Sequence, residues 1–166
     1  MKGLLAFPIL GLALVLQMGV MSRLSLLSGT ADLVLLVLAA WSLQPRVNTA
    51  WQWAILAGLM VGAASGLPLL VPVVGYLATT GIARLLLRRI WDTPILAMFI
   101  VVFFGTMVYQ IFALGWATFA GGNYPLQDAF SLIILPSVLL NILLAIPVYA
   151  VIRDLADWMY PLEEMV

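Results

Sequence analysis

The chain has 166 residues, of which 65% are hydrophobic and only 8% charged, with seven basic residues balanced by seven acidic ones. So few charges cannot solvate a globular surface, which excludes a soluble domain and makes the bilayer the expected solvent. The lack of Cys and His excludes disulfides, Cys/His zinc sites, thiol nucleophiles and imidazole bases, and zero net charge leaves no basic face for nucleic acid.

The charges lie in clumps, with none between Arg46 and Arg84 or between Asp92 and Asp128. A spanning helix needs about 20 apolar residues at about 1.5 Å each. By that measure the sequence predicts an all-α fold, a polytopic membrane bundle of about six transmembrane helices forming a single domain over 1–166. The first span is expected at 4–21. Lys2 and the run that follows resemble a signal peptide. The run is nevertheless long enough to cross the membrane, and Ser22-Arg23-Leu24-Ser25 is a poor cleavage context. The second span is expected at 28–44, with Thr30 as its cap and Asp32 in its first turn, favourable to the helix dipole. The tract from Val47 to Ala83 is too long for one helix. Ser65-Gly66-Leu67-Pro68 divides it into spans at 49–66 and 68–87. The fifth span is expected at 94–119, where Thr93-Pro94 reads as an N-cap followed by proline at the first helical position. The sixth is expected at 128–152, capped by Asp128 after the loop Gly121-Gly122-Asn123-Tyr124-Pro125. The acidic tail 154–166 is expected on the membrane surface.

With six spans and both termini cytoplasmic, the inner segments carry Lys2, Arg46, Arg84, Arg88, Arg89 and Arg153, and the outer segments carry only Arg23. That asymmetry obeys the positive-inside rule. Trp41, Trp51, Trp53, Trp91 and Trp158 then fall near the inner interface and Trp116 near the outer one, as an aromatic belt does.

Candidate functional residues are few. Ala54, Gly58, Gly62 and Gly66 recur every fourth residue and line one helix face with almost no side chain. Such a face packs tightly, either inside the bundle or against another subunit's helix or a lipid. Pro8, Pro68, Pro72, Pro136 and Pro147 fall within expected spans, where they kink helices or break them to build transport sites. The polar residues at membrane depth are Gln17, Gln110, Tyr109, Asn141 and the Thr79-Thr80 pair. Asn141 must bond inside protein, to another helix or to a substrate. No ionisable residue is expected at mid-span, which argues against ion coupling and proton relay. Arg84, Arg88 and Arg89 close the fourth span, suited to anionic headgroups or to a docking cytoplasmic protein. Asp32 and Asp128 each have a capping role available, and no third group makes them catalytic; an enzyme is not expected.

Four stretches carry a resemblance to a known family. Gly29-Thr30-Ala31-Asp32 leads into a leucine-rich run; Gly58 to Pro68 is a glycine-rich span ending in Ser-Gly-x-Pro; Gly75-Tyr76-Leu77-Ala78 leads to Arg84 and Arg88-Arg89; and Leu140-Asn141 is followed by Pro147-Val148-Tyr149. In order and spacing these resemble the rod shape-determining protein MreD family of the bacterial inner membrane, over nearly the whole chain. Ala31 stands where that family carries Pro, Gly62 where it often carries Asp, and Leu70 where Gly is common. The resemblance implies a scaffold without cofactors. It would bind the single-span protein MreC and help link the MreB filament to peptidoglycan synthases, and so control cell shape. The matching positions are Asp32, Gly58, Gly66, Pro68, Gly75, Tyr76, Arg88, Asn141, Pro147 and Tyr149, expected to shape the bundle and its helix-binding surface. The form is also similar to the substrate-binding subunits of energy-coupling-factor vitamin transporters, which is the alternative function. Lipids are expected partners, and a homodimer remains open at this point.

Overall fold

A computed structural model describes residues 6–20, 26–89, 93–122 and 125–160. Its six helices are α1 (Ala6–Gly19), α2 (Leu33–Ser42), α3 (Ala50–Ser65), α4 (Leu70–Leu87), α5 (Pro94–Phe119) and α6 (Leu126–Met159), the last with a π-helical stretch at Phe130–Ile134. No strand occurs among the described residues; an isolated bridge joins Leu26 and Gly29. Helices α4, α5 and α6 are long and apolar enough to cross a membrane, whereas α1, α2 and α3 have 14, 10 and 16 residues.

The short α2 is the axis of the fold. Nine of its ten residues are buried, from Val34 to Ser42. A helix that is apolar all round must be enclosed on all sides. The other five do this, following one another around α2 in the order α1, α3, α4, α5, α6. Their outer faces are apolar and exposed, as at Phe7, Leu85, Phe104, Leu139 and Leu143.

Several helix ends follow from local chemistry. Pro94 occupies the first turn of α5, where its missing N–H costs nothing, although the Thr93 side chain makes no cap bond. Gly66, with φ of 68°, ends α3 in the left-handed conformation that a side chain resists. Pro68 lies outside α4, and its carbonyl accepts from Val71 N–H as that helix starts.

Other ends depart from the expectations. The second helix starts at Leu33, and its cap is Asp32, not Thr30; the Asp32 carboxylate accepts the Leu35 N–H. The sixth helix starts at Leu126 after Pro125, so Asp128 lies within its first turn and makes no cap bond. It also runs on to Met159, which takes 154–159 out of the expected surface tail. Arg46 anchors this end, 3.6 Å from Asp157 and donating to the Tyr160 carbonyl at 3.1 Å. Trp41 and Trp53 do not belong to an interfacial belt. They are fully buried and stack with centroids 4.1 Å apart, while Trp51, Trp116 and Trp158 are exposed. The expectations for Lys2, Arg23, Trp91, Asn123, Tyr124, both ends of the 4–21 span and 161–166 lie outside the described residues.

Candidate functional site

Residues 26–32 precede α2 in extended and turn conformation and lie along α6. Three alternate N–H groups bond to it in order. Ser28 donates to the Leu132 carbonyl at 3.1 Å, Thr30 to Ser137 Oγ at 3.1 Å, and Asp32 to Asn141 Oδ1 at 2.8 Å. The register works because an extended chain repeats every second residue while α6 presents one face every turn. Leu132 belongs to the π-helical stretch, whose widened turn lets its carbonyl serve the neighbouring segment. Gly29 permits the close approach: a Cβ there would lie 2.6 Å from Ser137 N and 2.8 Å from the Ile133 carbonyl.

This segment delivers Asp32 to the centre of the bundle. Its carboxylate accepts from the Leu35 N–H at 2.9 Å and from the Tyr76 hydroxyl at 3.0 and 3.2 Å. Asn141 uses its oxygen for the Asp32 N–H and donates its Nδ2 to Thr106 Oγ1 at 2.9 Å. That division also fixes the orientation of the amide, since only its oxygen can meet an N–H. Gln17 of α1 completes the set by accepting from Val34 N–H at 3.1 Å. Five helices thus contribute to one polar cluster. Asp32, Tyr76, Thr106, Ser137 and Asn141 are all buried. No ionisable residue was expected at mid-span; instead Asp32 lies level with Thr106 and Asn141, in the middle of α5 and α6. No ion pair among the described residues includes it, and no group of metal-ligating residues occurs among them.

Small residues let the surrounding helices close. A Cβ on Gly75 would lie 2.6 Å from Tyr109 Cδ2, and the Tyr109 ring stacks on Tyr76 with centroids 5.5 Å apart. A Cβ on Gly105 would lie 2.7 Å from Thr79 Oγ1, whose own proton goes to the Gly75 carbonyl at 2.9 Å.

The glycine stripe of α3 is occupied from within. A Cβ on Gly58 would lie 2.5 Å from Val73 Cα, and one on Gly62 would lie 3.0 Å from Leu69 Cα. The groove open to another subunit is therefore filled by α4, and Gly66 serves as the helix end described above. Tyr149 is buried beside α5, whereas Pro147 lies on the exposed side of α6. The basic cluster divides. Arg84 turns inward and donates to the carbonyls of Gln44 and Val47, tying α4 to the α2–α3 loop, while Arg88 and Arg89 are exposed. Gln17 and Tyr109 stood out in the sequence only as polar residues at membrane depth, and Thr106, Ser137 and the packing role of Gly29 were missed. The i, i+4 spacing of Ser137 and Asn141 is the one signal that points to a shared polar face.

Comparison with family models, with curated proteins and with solved structures finds no match for this chain.

Proposed function

We propose that this protein is a non-enzymatic scaffold of the bacterial cell-elongation machinery, spanning the cytoplasmic membrane six times with both termini inside. In this reading it holds an MreC-like single-span protein and through it joins MreB filaments to peptidoglycan synthases. The observation that carries the reading is where the polar groups of the interior go: Asp32, Tyr76, Thr106 and Asn141 spend their hydrogen bonds on one another and on the backbone. A centre so occupied is built for rigidity. What the outside offers is apolar helix faces for lateral association.

The six-span topology draws support from the pairing of α2 with its extended lead-in. The segment adds the length that a ten-residue helix lacks, and its backbone groups bond to α6 instead of facing lipid. The inside orientation draws support from the gathering of Arg46 and Arg84 at the end where α2, α4 and α6 finish.

Depletion of the protein in its own host tests the function. The scaffold reading expects rounding or swelling of the cells and dispersed insertion of fluorescent D-amino acids into the wall, restored by the wild-type chain. Unchanged shape with loss of uptake of one vitamin would move the protein to the transporter class.

A further inference from the structure

The two flanks of the bundle differ in height. On one side α5 carries an uncharged run from Pro94 to Phe119, 26 residues or about 39 Å. On the other side of α4, α3 has 16 residues, about 24 Å, between irregular segments at 43–49 and 66–69. Any tilt shortens that height further. The hydrocarbon of a typical bilayer is about 30 Å thick. We propose that the α3 flank is a bilayer-thinning surface, where lipid is drawn down to about 24 Å beside the protein. The inference rests on the six-span placement of the scaffold reading and not on its protein partner.

Neither end of α3 tolerates hydrocarbon. At the outer end Gly66 lies open, since a Cβ there meets nothing within 4 Å, and Ser65 beside it is exposed. Among the described residues no N–H of 66–69 returns to α3, so the carbonyls that finish the helix have no backbone donor. Irregular backbone does not face lipid within the hydrocarbon region, because each stripped polar group costs far more than an ångström of lipid compression. At the inner end Asn48 is exposed, and Arg46 pairs at 3.6 Å with the equally exposed Asp157, an ion pair that belongs in water.

Between those ends lipid meets the helix directly. Ile55, Leu59 and Ala63, four residues apart, lie along one side of α3 and are exposed. The neighbouring α4 is little taller, 18 residues or about 27 Å, and Leu70 at its outer end is exposed as well. With both ends wet and the middle in contact with acyl chains, the lipid is what adapts. Headgroups descend to the Gly66 turn, and the elastic cost favours placement of the protein in thinner membrane.

Spin labels on three single-cysteine variants test this. Ser65→Cys and Asn48→Cys mark the two ends of α3, and Leu59→Cys marks its middle. All three positions are exposed, so the labels leave the packing alone. Each labelled protein is reconstituted in dioleoylphosphatidylcholine and, separately, in the thinner dimyristoleoylphosphatidylcholine. Power saturation compares access of oxygen, which concentrates in hydrocarbon, with access of a water-soluble nickel chelate. The expected result is a reversal along the helix: Leu59→Cys favours oxygen and both ends favour nickel, in both lipids alike. A preference for oxygen at either end in dioleoylphosphatidylcholine overturns the proposal, because the bilayer then keeps its thickness and submerges that end. Loss of the oxygen preference at Leu59→Cys also overturns it, since acyl chains then do not meet α3. The six-span placement fails differently, by an impermeant maleimide on spheroplasts reaching both ends of α3, which removes the span and this proposal with it. Submergence of one end leaves that placement intact.

Discussion

The backbone N–H of Asp32 donates to Oδ1 of Asn141 across 109 residues of sequence, at 2.8 Å in a fully buried setting. This bond joins the start of the central helix to the middle of the last one. The same amide continues to Thr106, so removing it orphans a donor on one side and leaves a hydroxyl short of a partner on the other. Asn141→Leu keeps the size but not the bonds. It is expected to destabilise the protein by about 1–3 kcal/mol, the cost of leaving buried polar groups unpaired. Thermal unfolding in detergent, followed by tryptophan fluorescence, measures it.

The Asp32–Tyr76 pair should behave as a unit. Tyr76→Phe removes one bond to the carboxylate and is expected to cost about 1 kcal/mol. Asp32→Ala removes the helix cap as well and should cost more, by a further ~1 kcal/mol. The double variant should be less destabilised than the sum, and a double-mutant cycle that came out additive would show that the contact carries no coupling.

The glycine stripe gives a sign test. If α4 fills it, Gly62→Leu lowers melting temperature and yield, because Leu69 and Pro72 already stand within 3.2 Å of any Cβ. Were the stripe instead a partner's groove, the same variant would melt normally and fail only to form a complex.

Two other glycines should move stability in opposite directions. Gly66→Ala forces a side chain into a positive φ and should cost about 1–2 kcal/mol. Gly115→Ala lies on an unobstructed face of α5 and should gain about 0.5–1 kcal/mol from helix propensity. Parallel melts of the two variants test both signs at once.

The chain contains no cysteine, so single Cys variants report topology without background. An impermeant maleimide applied to intact spheroplasts should label Gln127→Cys and spare Arg88→Cys, and inverted vesicles should reverse the pattern. Labelling of both from one side would defeat the six-span orientation.

The sequence was most legible where a residue's own backbone dictates the outcome. Pro94, Ser65-Gly66 and the uncharged run to Phe119 place α3 and α5 within a residue or so of where they lie. It was least legible around α2. Hydropathy cannot separate an apolar extended chain from an apolar helix, so the lead-in to Asp32 read as part of the second span, when the Thr30 and Asp32 N–H groups in fact bond to α6. Asp32 caps its helix, as its position near the start of the second span suggested, but the same ambiguity hid that it does so buried at the centre of the bundle. Trp41 and Trp53 were misplaced because enclosure of a helix on every side is a property of the packing around it. Asn141 was recognisable as needing an interhelical partner, but that the partner would be a backbone N–H required the fold.

The central claim is that this bundle serves by holding a protein partner. Purification of the tagged chain from its native membrane in mild detergent, with mass-spectrometric identification of what accompanies it, tests this most directly. The account predicts stoichiometric recovery of a single-span protein with a large extracytoplasmic domain. Recovery of ATPase subunits with a transmembrane coupling subunit, or of a bound vitamin, would contradict it.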